Sequence, residues 1–154
     1  MRPGSECALC SLRTSGNESE LTPGPATVIY RDGDVVALAV TGHLGVLLVP
    51  RSHVGHLSAL PSTSNFLAML RRAVQAVESV CQVADVSVRP ATGLTNACGH
   101  AAYWVVMASR GGVGTPNTDA HAETLPAALR VGSLLSAHGR VHDGVTAAAR
   151  ADLQ

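Results

Sequence analysis

The chain has 154 residues, 46% of them hydrophobic and only 14% charged, and its 11 basic and 11 acidic residues cancel at pH 7. That length suits one domain over 1–154 with its own core. A neutral chain offers no electrostatic footprint for nucleic acid or an anionic membrane surface, and no segment approaches the ~20 apolar residues that cross a bilayer.

The first residues, Met1 to Glu6, lack the apolar core of a signal peptide, so a cytoplasmic location is expected. In that compartment the four cysteines are better explained by metal or packing than by disulfides. Cys7-Ala8-Leu9-Cys10 is a Cys-x-x-Cys knuckle, a spacing that lets two thiolates reach one zinc at about 2.3 Å each. By itself it is half a site, and a redox pair or two incidental thiols are the alternatives. Residues 14–25, rich in Gly, Ser and Pro, read as a flexible connector.

Residues 27–31 and 35–40 are β-rich runs around Asp32-Gly33-Asp34, a strong hairpin signal. A third strand, 45–49, follows a turn at Gly42-His43 and is closed by Pro50, which cannot donate to a ladder. That leaves His53 and His56 on the turn leading out. Residues 62–83 predict a long helix with Phe66, Leu67, Leu70, Val74, Val77 and Cys81 in one stripe and Ser62, Thr63 and Ser64 as candidate caps. Cys81 belongs to that stripe as a small hydrophobe.

Residues 86–88 alternate as a strand, and residues 90–96 read as a loop or irregular strand. The run from Thr95 to Val106 then begins polar and ends apolar. If it is extended from Cys98, then Cys98, His100, Ala102 and Trp104 share a face, with thiol and imidazole about 7 Å apart. We read Cys98 as a structural ligand and His100 as the reactive group. Residues 110–116 form a connector, and a second helix runs from Asp119 or Thr124 to Ala137, with Leu125, Leu129, Leu134 and Leu135 inward and Gly139 as its stop. His121, His138 and His142 have no informative partner spacing, and residues 146–154 read as a frayed tail.

The Cys-x-x-Cys, the hairpin, the Val49-Pro50-Arg51-Ser52-His53-Val54 segment, the long helix and the following signature strand together resemble the histidine triad superfamily over residues 7–110, with 111–154 as loop and C-terminal helix. The resemblance implies an α+β fold: an antiparallel sheet of about five strands, a long helix packed across it and a C-terminal helix. It implies a homodimer and a small-molecule or nucleotide substrate. It further implies a zinc bound by Cys7, Cys10, His53 and the first residue of the signature. Signatures in that superfamily alternate as His-x-His-x-His, or as His-Pro-His-Gly-Gln in the galactose-1-phosphate uridylyltransferase branch, and the middle His is the nucleophile. Laid on the uridylyltransferase pattern, Asn96 and Trp104 fall in place, Cys98 takes the first position, His100 the middle one, and Ala102 stands where His or Gln belongs. The zinc set is then Cys7, Cys10, His53 and Cys98, with His56 and His100 as the alternative imidazoles. Asn96, Ala102, Trp104 and Arg110 line the substrate position, and Arg110 or Arg51 compensates for the donor missing at Ala102.

Three functions follow from that reading. One is a nucleotidyl transferase or nucleotide or phosphoramidate hydrolase acting through His100. The second is a repurposed enzyme on a non-nucleotide small molecule in a specialised biosynthetic pathway. The third is a non-catalytic, zinc-stabilised nucleotide-binding module.

Overall fold

The computed structural model describes residues 7–11, 18–21, 24–40, 45–82, 85–107 and 126–137. The Gly42-His43 turn, the 110–116 connector with Arg110, His121, His138, His142 and the 146–154 tail lie outside the described residues.

Among the described residues, six strands form one sheet: β1 (Glu18–Leu21), β2 (Gly24–Arg31), β3 (Val35–Val40), β4 (Gly45–Pro50), β5 (Val86–Pro90) and β6 (Tyr103–Met107). Their order is β1-β2-β3-β4-β6-β5 and every neighbouring pair is antiparallel. The α+β architecture expected from the resemblance is present, with one strand more than about five. The extra strand is β1, which falls inside the segment read as a connector; it pairs with β2 through main-chain hydrogen bonds that do not require an apolar side-chain pattern.

The β2–β3 turn shows why Asp32-Gly33-Asp34 reads as a hairpin. Asp32 Oδ1 accepts the backbone N–H groups of Asp34 and Val35, both at 2.7 Å, and the Tyr30 hydroxyl donates to Oδ2 at 2.9 Å. Arg51 holds the same turn: its Nη1 donates to the Asp32 carbonyl at 2.8 Å and its backbone N–H to that of Asp34 at 2.7 Å. A guanidinium committed there serves the hairpin, which corrects its assignment as a stand-in for Ala102.

β3 and β4 are buried on both faces because each supplies apolar side chains to both sides. Val36, Leu38, Leu47 and Val49 join one core cluster; Val35, Ala37, Val46 and Leu48 join the other. The second cluster is covered by the helix Phe66–Cys81, whereas Cys7 and Leu9 pack into the first.

The chain's first helical turn is α1 (Ala8–Ser11), and the long helix is α2 (Phe66–Cys81). The N-cap of α2 is Asn65, which makes no side-chain cap hydrogen bond and lies just past the expected Ser62, Thr63 and Ser64; the Ser64 hydroxyl accepts the Phe66 N–H at 3.2 Å from the position before it. Its buried face is Phe66, Met69, Ala73, Ala76 and Val77, whereas Leu67 is 61% exposed. The stripe is therefore rotated from the one read in the sequence, because Ala73 and Ala76 let the helix axis come close to the sheet and a larger side chain would hold it off.

Between β5 and β6 lies α3 (Thr92–Cys98), which replaces the expected loop or irregular strand. It ends at Gly99, whose φ of +66° is the left-handed conformation that glycine adopts without cost, and whose N–H donates to the Thr95 carbonyl at 2.7 Å. A further helix, α4, covers residues 126–137 and buries Ala128, Val131 and Leu135. Leu129 is 47% exposed and not inward as expected. Gly132 lies against a register slip between Val28 and Tyr30 in β2, where a Cβ would collide with the Ile29 carbonyl oxygen and come within 3.0 Å of its Cβ.

Candidate metal centre

Two loops and one helical turn meet beside the first core cluster. Cys7 immediately precedes α1 and Cys10 lies on it; the Ser11 N–H closes back on the Cys7 carbonyl at 3.1 Å, so one turn points both sulfurs the same way. His53 is presented by the exit from β4, after Pro50 stops the ladder. His100 follows the Gly99 turn out of α3. The two distant segments are laced by the Ala101 N–H, which donates to the Val54 carbonyl at 2.6 Å.

The ligand atoms of Cys7, Cys10, His53 and His100 all lie within 4.8 Å of one another. Cys10 Sγ is 3.1 Å from His53 Nδ1 and 3.4 Å from His100 Nδ1, and Cys7 Sγ is 3.5 Å from His100 Nδ1. A tetrahedral zinc with its usual Zn–S and Zn–N bonds separates sulfur from nitrogen by about 3.5 Å, so the residues present fit a closed Cys₂His₂ set.

The His100 ring is completely buried. Its Nε2–H donates to the Pro50 carbonyl at 2.8 Å, which fixes the tautomer and leaves the Nδ1 lone pair facing the two sulfurs. His53 is the exposed member, its ring centroid 4.8 Å from that of His100.

The geometry thus exchanges the roles read from the sequence. His100, expected to be the free reactive group, occupies a ligand position, and Cys98, expected to be the ligand, stands outside the four. The cause is α3: a helix to Cys98 and a left-handed Gly99 replace the alternation of an extended strand, so Cys98 and His100 are not two positions of one sheet face. Cys98 is still close by. Its thiol shares a hydrogen bond with Cys7 and meets the backbone N–H groups of His100 and Leu9. Burial pushes the Cys98 thiol up and the Cys7 hydrogen bond adds to the rise, while the two backbone donors oppose it.

The expected substrate positions are dispersed. Asn96 is exposed on α3, Ala102 is buried in the first core cluster, and Trp104 is half-buried against that cluster from β6. Arg110 lies outside the described residues. His56 bonds Ser58 Oγ at 2.6 Å and does not join the metal cluster. Sequence reasoning held His100 only as an alternative ligand; Gly99, a residue that closes a helix in the left-handed conformation, was the available signal.

No family model and no curated protein matches the sequence. Solved structures do match. The chain superposes on a Hit-like protein involved in cell-cycle regulation from Bartonella henselae with TM-score 0.54 at 17% identity, over 73% of this chain and 89% of that one. This chain has the histidine triad-like fold. A Zn-bound histidine triad family protein from Mycobacterium smegmatis shares it at TM-score 0.53 and 15% identity, over 88% of this chain and 97% of that one. A histidine triad family member from Bacillus subtilis does so at 0.52 and 14%, over 79% and 91%. Among the described residues no helix is long and apolar enough to cross a membrane.

Proposed function

We propose that this chain is a zinc-stabilised histidine triad-like binding domain in which His100 serves the metal and forms no covalent nucleotidyl intermediate. The observation that carries the reading is the engagement of both nitrogens of a fully buried ring, Nε2 by the Pro50 carbonyl and Nδ1 by the Cys7 and Cys10 sulfurs. An imidazole that attacks phosphorus needs a free lone pair aimed at open space. With His100 in the first place of the alternating signature, the nucleophile's place falls on Ala102 and the next on Trp104. That registration abandons the uridylyltransferase pattern, which depended on Cys98 in the first place. Ala102 has neither a lone pair to attack with nor a proton to donate.

Cys7, Cys10, His53 and His100 would hold the zinc, and the ion would supply cross-linking of the chain's beginning to two later loops. A zinc bearing four protein ligands is a structural type. The bound small molecule is taken to be a nucleotide by analogy, since one structure of like fold, at TM-score 0.52, is described as a hypothetical histidine triad nucleotide-binding protein from Sulfolobus tokodaii. To test the reading, the purified chain is incubated with adenosine phosphoramidate and with a dinucleoside polyphosphate, and its intact mass and the released nucleotide are followed. Unmodified mass with no turnover is expected, together with saturable nucleotide binding by calorimetry. An adduct or turnover abolished by His100→Ala sinks the proposal.

A further inference from the structure

A second concave site lies across the sheet from the metal centre. The centre sits beside the first core cluster, whereas residues of α2 and α4 build the second. Between those two helices is a cleft of about 150 Å³ lined by Arg72, Gln75, Ala76, Ser79, Leu134 and Leu135. Arg72, Gln75, Ala76 and Ser79 fall at i, i+3, i+4 and i+7, which is one stripe along α2. A helical stripe turned toward a neighbouring helix is ordinarily apolar. Here three of its four positions are polar, and the fourth, Ala76, is buried but too small to close the gap.

The lining selects the ligand. Arg72 is half-buried, and among the described residues it forms no ion pair or hydrogen bond. No acidic residue lines the cleft, so its one formal charge is positive and favours an anion. A guanidinium presents paired N–H donors in the geometry that matches a carboxylate. Gln75 and Ser79, both exposed, add an amide and a hydroxyl at the solvent side, while Ala76 and Leu135 are buried and supply an apolar floor with the half-buried Leu134. An apolar space of about 150 Å³ takes a molecule the size of benzene. We propose that this cleft binds a small organic carboxylate, its charge on Arg72 and its apolar ring or branched chain over Ala76 and Leu135. The binding is non-covalent, and it does not depend on the zinc reading above, since no metal-cluster residue lines the cleft.

The test titrates the full chain with benzoate, benzamide and inorganic phosphate and follows the backbone amide shifts. Benzoate should saturate with a dissociation constant of about 1 mM, the affinity expected of so small a ligand in an open cleft. Its largest shifts should fall on the stripe of α2 and on Leu134 and Leu135. Benzamide keeps the ring without the charge and phosphate keeps charge without the ring; each should bind at least about tenfold more weakly. Arg72→Met retains the aliphatic stem and should weaken benzoate by at least about tenfold. Ala76→Leu should fill the floor and abolish measurable binding; if that variant fails to fold, Arg72→Met and the three ligands still decide the outcome. Benzoate that does not saturate, or that shifts residues around His53 and His100 instead, overturns the proposal. So does benzamide or phosphate binding as tightly as benzoate, or Arg72→Met binding benzoate like the wild type.

Discussion

His100 Nε2 donates to the Pro50 carbonyl oxygen at 2.8 Å, a buried bond that joins residues fifty positions apart and aims the other ring nitrogen at Cys7 and Cys10. Pro50 ends β4, and His53, three residues later, comes back to the same cluster. One peptide segment therefore supplies both a ligand and the outer-shell acceptor that orients another ligand.

That coupling makes His100→Ala costly in two ways: a coordination position is lost and a buried carbonyl loses its partner. We expect zinc content to fall below one equivalent and unfolding stability to drop by at least about 3 kcal/mol, measured by elemental analysis and chemical denaturation. His56→Ala is the matched control, since His56 is exposed and bonded to Ser58, and should change stability by less than about 0.5 kcal/mol. Equal behaviour of the two variants would refute the assignment of His100 to the centre.

Gly132→Ala inverts the usual helix rule. Alanine in a helix interior is favoured over glycine by about 1 kcal/mol. Here a Cβ meets the Ile29 backbone at the β2 register slip, so α4 must be pushed away from the sheet. A net destabilisation of about 1–3 kcal/mol is expected in urea titration. A stabilised variant would show that α4 does not sit this close to β2.

Asp32 organises the β2–β3 turn through three hydrogen bonds, two from backbone N–H groups and one from Tyr30. Asp32→Ala should cost about 2 kcal/mol, because the turn's donors lose a charged acceptor. Tyr30→Phe removes only the hydroxyl bond and should cost about 1 kcal/mol or less. Thermal melts rank the pair; a more damaging Tyr30→Phe would contradict the turn as described.

Burial pushes the Cys81 thiol above its ordinary range, and the Arg130 guanidinium on α4 partly opposes that rise. A thiol whose folded value is raised stabilises the fold fully below the unfolded value and loses that contribution as pH climbs through the folded one. Relative to Cys81→Ser, the wild type should therefore lose stability across the alkaline side of pH 8.5. Alkylation of Cys81 should also accelerate at a higher pH than that of a free thiol, and Arg130→Ala should move it higher still. Alkylation by iodoacetamide, resolved by peptide mass, checks the order; a reaction already complete near neutral pH would contradict it.

Much of the scaffold was legible because it is written in local pattern. Asp32-Gly33-Asp34 names a turn through side-chain chemistry, Val35–Val40 is too uniformly apolar to face water on either side, and Pro50 ends a strand for lack of an N–H. Cys7 and Cys10 were recognisable as half a site from spacing alone. The face of α2 was less legible: Ala73 and Ala76 carry little hydrophobic signal, yet they line the contact because the sheet needs a close approach there.

What the amino-acid order determined by itself was the inventory of donors and the strands and turns that carry them. Which imidazole joins the centre was decided only by the folded chain. The switch from helix to a left-handed Gly99 at φ +66° is a conformation that glycine permits and neighbouring residues do not specify, and it is locked by contacts from far along the chain: the Val54 carbonyl on Ala101 and the Pro50 carbonyl on His100. Local propensity carries no information about those two acceptors, and they are what turn the ring of His100 toward the sulfurs.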